Sequence, residues 1–185
     1  HLKYGVHPDM AWFGKALGNG YSITAILGTR ETMEVAQDTF VSSTFLTERT
    51  GPVAALATLK EMKSNKSWEQ ITKTGSEIKK GWLKAANNHK LPITIGGLDA
   101  LANFSFTTPD WLFIKTFICQ EMLKRGYLAS NSVYSCTAHT ELIIEEYMEN
   151  LDEVFGIVAT ANRDGSPIED LLEGPVCHDG FRRLN

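Results

Sequence analysis

Apolar residues recur at helical spacing along four stretches of the chain. After Gly51-Pro52, the residues Val53, Leu56, Leu59 and Met62 repeat every three positions. Proline at a first helical position suits an entrance where its missing N–H had no partner anyway. Ser67-x-x-Gln70 has capping-box spacing and leads into Trp68, Ile71, Ile78, Trp82 and Ala85, which predicts a second helix ending near Asn87-Asn88. Thr108-Pro109-Asp110 opens a third, carrying Phe113, Ile114, Phe117, Ile118 and Met122 and ending at Gly126. Thr140 caps the fourth, in which Ile144, Tyr147, Met148, Leu151, Val154, Phe155 and Val158 hold a three-to-four spacing without a miss.

Period-two patterning falls between these helices. Strands are predicted at 93–95, 100–106 and 127–134. In the second of them Leu101, Asn103 and Ser105 alternate with Ala102, Phe104 and Phe106, the signature of a sheet with one covered face. Residues 1–30 are punctuated by Gly5, Gly14, Gly18, Gly20 and Gly28, which predicts loop, a short turn and one buried strand over 23–27. The change of character near Asn88-His89-Lys90 predicts a boundary there. Residues 1–88 form one part, with the Ser67 helix as a bridge, and residues 89–185 form a small α+β unit.

Composition narrows the function classes. The chain has 185 residues, 43% of them hydrophobic and 22% charged, which is a globular rather than a disordered composition. A net charge of -4 with no basic stripe gives a polyphosphate backbone nothing broad to grip, so no nucleic-acid partner is expected. Cys119, Cys136 and Cys177 are odd in number and lack C-x-x-C spacing, against a disulfide framework or a structural zinc site and in keeping with a reducing, cytoplasmic location. The richest apolar stretch, 111–119, is broken by Lys115 and too short to span a bilayer, so no membrane partner is expected. The chain opens at His1 without an initiator Met and reads as the continuation of a longer sequence.

The familiar chemical motifs are absent. Gly14-Lys15-Ala16 lacks the hydroxyl residue and the earlier glycine of a phosphate-cradling P-loop, and Gly18-Asn19-Gly20 lacks the third glycine of a dinucleotide fingerprint. His1, His7, His89, His139 and His178 show no helical i, i+4 pairing, so no metal site is expected. No G-x-S-x-G elbow occurs. What remains is residues 8–21, Pro-Asp-Met-Ala-Trp-Phe-Gly-Lys-Ala-Leu-Gly-Asn-Gly-Tyr, with Lys15 between two glycine hinges and beside Trp12, Phe13 and Leu17. By composition alone this is an exposed lysine on a turn.

The segment resembles the cofactor-lysine region of the class III (subgroup II) pyridoxal-phosphate aminotransferases, nearest the branch of glutamate-1-semialdehyde 2,1-aminomutase. Phe40-Val41-Ser42-Ser43-Thr44-Phe45 followed by Gly51-Pro52-Val53-Ala54-Ala55 resembles the family's threonine loop and the helix after it. Ser135-Cys136-Thr137-Ala138-His139-Thr140 resembles its final Ala-His-Thr segment. Two departures stand out: Ser22 where members carry proline, and a long stretch between the threonine and Pro52. Counting forward from Phe40 picks Thr44 as the phosphate-binding threonine, the preferred choice, and counting back from Pro52 keeps Thr47 open.

The resemblance implies an α/β fold of type I among pyridoxal-phosphate enzymes, here the end of the large domain plus the small C-terminal domain. It implies that Lys15 forms a Schiff base with pyridoxal 5'-phosphate, desolvated by Trp12 and Phe13, and serves as general base in amino-group transfer. Thr44 or Thr47, with the N-terminus of the Gly51-Pro52 helix, would meet the phosphate. Small amino and keto compounds are the implied substrates, and a homodimer with sites at the subunit interface the implied assembly. Transaminase and aminomutase are not separated by these residues. As a C-terminal portion the chain is expected to be inactive alone, because the family's ring-nitrogen carboxylate lies upstream of the lysine. The alternative is a non-catalytic dimerisation or binding module that keeps the fold.

Overall fold

A computed structural model describes residues 1–178 and 180 of the chain. It falls into two units, His1–Lys66 and Ser67–Asn185. The division comes one helix before the expected 88/89 boundary. The reason is that the helix starting at Ser67 buries Ile78, Trp82, Ala85 and Ala86 in the core of the second unit.

In the first unit, strands β1 (Met10–Phe13) and β2 (Ala25–Gly28) form an antiparallel hairpin paired from Met10 opposite Gly28 to Phe13 opposite Ala25. A short helix α1 (Arg30–Glu34) follows, capped by the Thr29 side chain, which accepts from the Thr32 N–H. Helix α2 (Thr50–Asn65) closes the unit and ends where Lys66 turns left-handed. The expectation of one buried strand over 23–27 is corrected here. The strand is β2, it has a partner in β1, and Ile26 and Leu27 are exposed because nothing described covers the two-stranded sheet.

Helix α2 is also rotated from its expected face. Its buried positions are Gly51 and Ala55, whereas Val53, Leu56 and Leu59 are exposed. It begins two residues before Pro52, which still lies in the first turn, where an N–H would have no intrahelical partner.

In the second unit, helix α3 (Ser67–Asn88) precedes β3 (Ile93–Leu98) and β4 (Leu101–Phe106), then α4 (Trp111–Lys124), β5 (Ser132–Tyr134) and α5 (Glu141–Asp164). The sheet runs β3-β4-β5, antiparallel throughout. The expected 127–134 strand survives only at its last three residues.

The alternation in β4 behaves as read: Ala102, Phe104 and Phe106 are buried, and α3, α4 and α5 supply most of the rest of the core, with Leu91 and Ile168. Phe104 is its centre, meeting Trp82 edge-on at 4.8 Å and Phe155 at 5.9 Å. Thr140 caps α5 by accepting from Ile143 N–H, and Gly165 ends it in the left-handed conformation. Gln70, the expected capping-box partner of Ser67, donates its amide to the Thr137 carbonyl at 3.2 Å. Trp68, expected on the inner stripe of α3, faces outward.

Candidate active site

The β1–β2 pairing places Lys15 in the connection that closes the hairpin, residues 14–24. That connection is built on a 3₁₀ turn, Lys15–Leu17. The Leu17 N–H donates to the Gly14 carbonyl at 3.1 Å, Gly18 N–H to the Lys15 carbonyl at 3.2 Å, and Asn19 N–H to the Ala16 carbonyl at 3.2 Å. Lys15 has φ 49°, Asn19 φ 46° and Gly20 φ 106°. Glycine takes this region freely, but for a lysine it carries roughly 1–2 kcal/mol of strain, so the surroundings must hold it there.

Gly18 is the buried hub of the connection. A Cβ there would lie 2.0 Å from the Tyr21 carbonyl oxygen and 2.9 Å from Ile23 Cγ2, so only glycine fits. The segment 21–23 in turn rests on α2. A Cβ on Gly51 would come within 2.6 Å of the Ser22 carbonyl oxygen and 3.1 Å of Ile23 Cβ.

Lys15 is exposed, and its side-chain amine has no hydrogen bond or ion pair among the described residues. Trp12 is 72% exposed and Phe13 45%. The expected desolvation by these two rings is therefore absent from the described residues. Trp12 pairs across the hairpin with Ile26, and both side chains lie in the open.

Thr44 and Thr47 fall in one turn, residues 44–47, and both are exposed. The Leu46 N–H donates to the Ser43 carbonyl and the Glu48 N–H to the Phe45 carbonyl, which brackets the turn. Neither threonine hydroxyl is hydrogen-bonded among the described residues, so the geometry leaves both available.

The N-terminus of α2 is not available, and this corrects the expectation that it supplies donors to a phosphate. The Glu48 carboxylate accepts from Thr50 N–H at 2.9 Å, from the Thr50 hydroxyl, and from Gly51 N–H at 3.4 Å. The hydroxyl bond, reinforced by the backbone donors, holds the Glu48 carboxyl below its ordinary range. Pro52 has no N–H, and Val53 N–H bonds the Arg49 carbonyl. Sequence reasoning missed Glu48; its signal was a carboxylate one turn before a proline-bearing helix start. Beside it a groove of about 440 Å³ is lined by Tyr21, Arg49, Thr50, Val53, Ala54 and Ala57.

In the second unit a cavity of about 520 Å³ is bordered by Tyr127, Val133, His139, Ile144 and Tyr147. Tyr147 is committed to the core: its oxygen accepts from Trp82 Nε1–H at 2.9 Å, and burial pushes the phenol up to about 12. His139 Nδ1 accepts from the Cys136 N–H at 3.2 Å. Asn103 and Ser105 lie on β4, Ser105 bonded to the Thr94 hydroxyl at 2.9 Å. No described helix is long and apolar enough to cross a membrane.

The family model described as "Aminotransferase class-III" matches residues 1–161, which includes the lysine hairpin, the threonine turn and α5 to its next-to-last turn. The chain belongs to the class-III aminotransferases. Among its relatives in this family, a 3-aminobutyryl-CoA aminotransferase of Cloacimonas acidaminovorans is 27% identical over 82% of this chain and 39% of its own length. An aminopentol aminotransferase of Sphingopyxis macrogoltabida is 26% identical over 83% of this chain and 37% of its own. The chain thus spans about two-fifths of the length of these class-III relatives.

Solved structures agree. The FumI protein of a Sphingopyxis species, in its internal aldimine form with PLP, superposes with a TM-score of 0.79 at 25% identity, over 92% of this chain and 42% of that one. An S-selective transaminase from Bacillus megaterium gives 0.76 at 19% identity, over 86% and 40%. The mixed α/β architecture of this class-III chain is that of the type I pyridoxal-phosphate transaminases over the part it spans.

Proposed function

We propose that the protein takes part in pyridoxal-phosphate-dependent amino-group transfer, with Lys15 as the residue that holds the cofactor. The observation that carries this is Lys15 itself: an exposed, unpartnered primary amine, held left-handed between two paired strands inside the matched family segment. The residues fit the group. A free amine suits an aldehyde carbon, and two unspent hydroxyls, Thr44 and Thr47, stand in one turn for a phosphate. The backbone donors of α2 do not contribute, because Glu48 already uses them.

When bound, the cofactor supplies an aldehyde and a ring able to accept electrons. Lys15 Nζ would attach to it, and after release by an incoming amine would move the proton at the carbon bearing the substrate's amino group. Thr44 or Thr47 would donate its hydroxyl to the phosphate. The substrates proposed are small amino and keto compounds. The relatives are named as transaminases, which supports that subclass; the intramolecular aminomutase alternative uses the same lysine and the same proton movement.

A homodimer is the proposed assembly. Its support is the exposed apolar side chains of the first unit, Trp12 and Ile26 paired across the hairpin and Val53 and Leu56 on α2. Three free cysteines support a reducing, cytoplasmic location.

The test is direct. The complete polypeptide is mixed with pyridoxal phosphate, reduced with borohydride and mapped by mass spectrometry. The expected result is one dominant adduct on Lys15, lost in Lys15→Ala. Labelling spread evenly over exposed lysines, with amino transfer unchanged in Lys15→Ala, would sink the reading.

A further inference from the structure

The left-handed conformation of Lys15 needs a cause outside its own turn, and a continuous path of close packing leads to one. The 3₁₀ hydrogen bond from Gly18 N–H to the Lys15 carbonyl ties the lysine to Gly18. Gly18 lies against the Tyr21 carbonyl and Ile23, with no room for a side chain. Ser22 and Ile23 lie against Gly51, again with no room for a side chain. Gly51 belongs to the first turn of α2, and Glu48 clamps that turn by accepting from Thr50 and Gly51.

We propose that the first turn of α2 is the positioning element for Lys15, with Gly51 as the seat and Glu48 as the clamp. Neither residue touches the reacting atoms; both act through residues 18–23. Gly51 is required because a methyl there pushes Ser22 and Ile23 away, and that displacement relaxes the turn that keeps Lys15 left-handed. Glu48 is required because the turn otherwise frays, as helix ends do when their N–H groups lose an acceptor. This inference rests on the proposed role of Lys15 and adds to it the residues that set its reactivity.

The experiment compares the complete polypeptide with Gly51→Ala, Glu48→Ala and Glu48→Gln. Each is treated with pyridoxal phosphate and borohydride for short times, and the labelling rate of Lys15 is divided by that of exposed Lys60 in the same sample. Thermal melting is recorded in parallel. Gly51→Ala is expected to lower the ratio about tenfold, and Glu48→Ala about threefold, at a cost of only a few degrees in melting temperature. Glu48→Gln keeps an acceptor oxygen and should restore the ratio to near the wild-type value.

A wild-type ratio in both Gly51→Ala and Glu48→Ala overturns the positioning role, as does an equal fall at Lys15 and Lys60. Should Gly51→Ala fail to fold, the Glu48 pair decides: rescue by glutamine supports the clamp, and equal ratios in alanine and glutamine refute it. Were Lys15 labelled no faster than Lys60 in the wild-type protein, the proposed role of Lys15 would fall, and this inference with it. Preferential wild-type labelling that the variants leave untouched would remove the positioning role alone.

Discussion

Trp82 Nε1–H donates to Tyr147 Oη at 2.9 Å, and this buried bond joins α3 to α5 through the middle of the second unit. Trp82 is fully buried and Tyr147 nearly so. Burial keeps the phenol protonated and raises it to about 12, although the indole donor works in the opposite direction.

The bond has a pH signature. The folded-state value lies above the unfolded value of about 10, so Tyr147 adds stability that is fully present below pH 10 and lost as pH rises toward 12. Its share of the alkaline loss is on the order of 2–3 kcal/mol. Tyr147→Phe leaves the indole donor unpaired and should cost about 1–2 kcal/mol at pH 7. The gap between wild type and variant should then close between pH 10 and pH 12, because only the wild type has a buried phenol to ionise. Urea unfolding at stepped pH reads both quantities; a gap that stays constant to pH 12 would refute the assignment.

Gly75 lets α3 lie directly on the turn between β3 and β4. A Cβ at that position would sit 1.5 Å from the Asp99 carbonyl oxygen and 3.1 Å from Ser135 Oγ. Backbone cannot yield as a flexible side chain can, so Gly75→Ala should destabilise by about 2–3 kcal/mol. Gly174→Ala is the control, since nothing lies within 4 Å of the added methyl. Denaturant midpoints should show a large shift for the first and almost none for the second.

Thr140 closes the N-terminus of the longest helix by accepting from Ile143 N–H at 3.4 Å. Thr140→Ala should cost about 1 kcal/mol and leave the rest of α5 intact. Hydrogen exchange should rise first at the Ile143 amide; unchanged protection there would show that the cap contributes nothing.

Thr44 and Thr47 share one exposed turn, and substitution separates them. Thr44→Val is expected to weaken pyridoxal phosphate binding about tenfold, a loss of roughly 1.4 kcal/mol, with Thr47→Val nearly silent. Spectral titration of the complete polypeptide measures both. The reverse ranking would make Thr47 the phosphate contact.

The second unit was legible because its information is local and periodic. Leu151, Val154, Phe155 and Val158 announce the buried face of α5, and Phe104 and Phe106 that of β4, since a residue's side of a helix or strand follows from spacing alone. The candidate lysine was legible from its flanking glycines and aromatic residues through family resemblance.

The first unit was not legible in the same way. Val53, Leu56 and Leu59 recur every three residues, short of the 3.6-residue helical period, and lie exposed, while Gly51 and Ala55, four residues apart, are buried. Periodicity reports where an apolar stripe is, not which neighbour meets it, and here the close packing of Ser22 and Ile23 selects the stripe of small residues. The sequence by itself determined four of the five described α-helices, the covered sheet face and the candidate amine. Only the tertiary structure decided that Gly51 rather than Val53 meets Ser22 and Ile23 and that Lys15 stands left-handed in the open, because both depend on atoms brought together by chain folding rather than on neighbours along it.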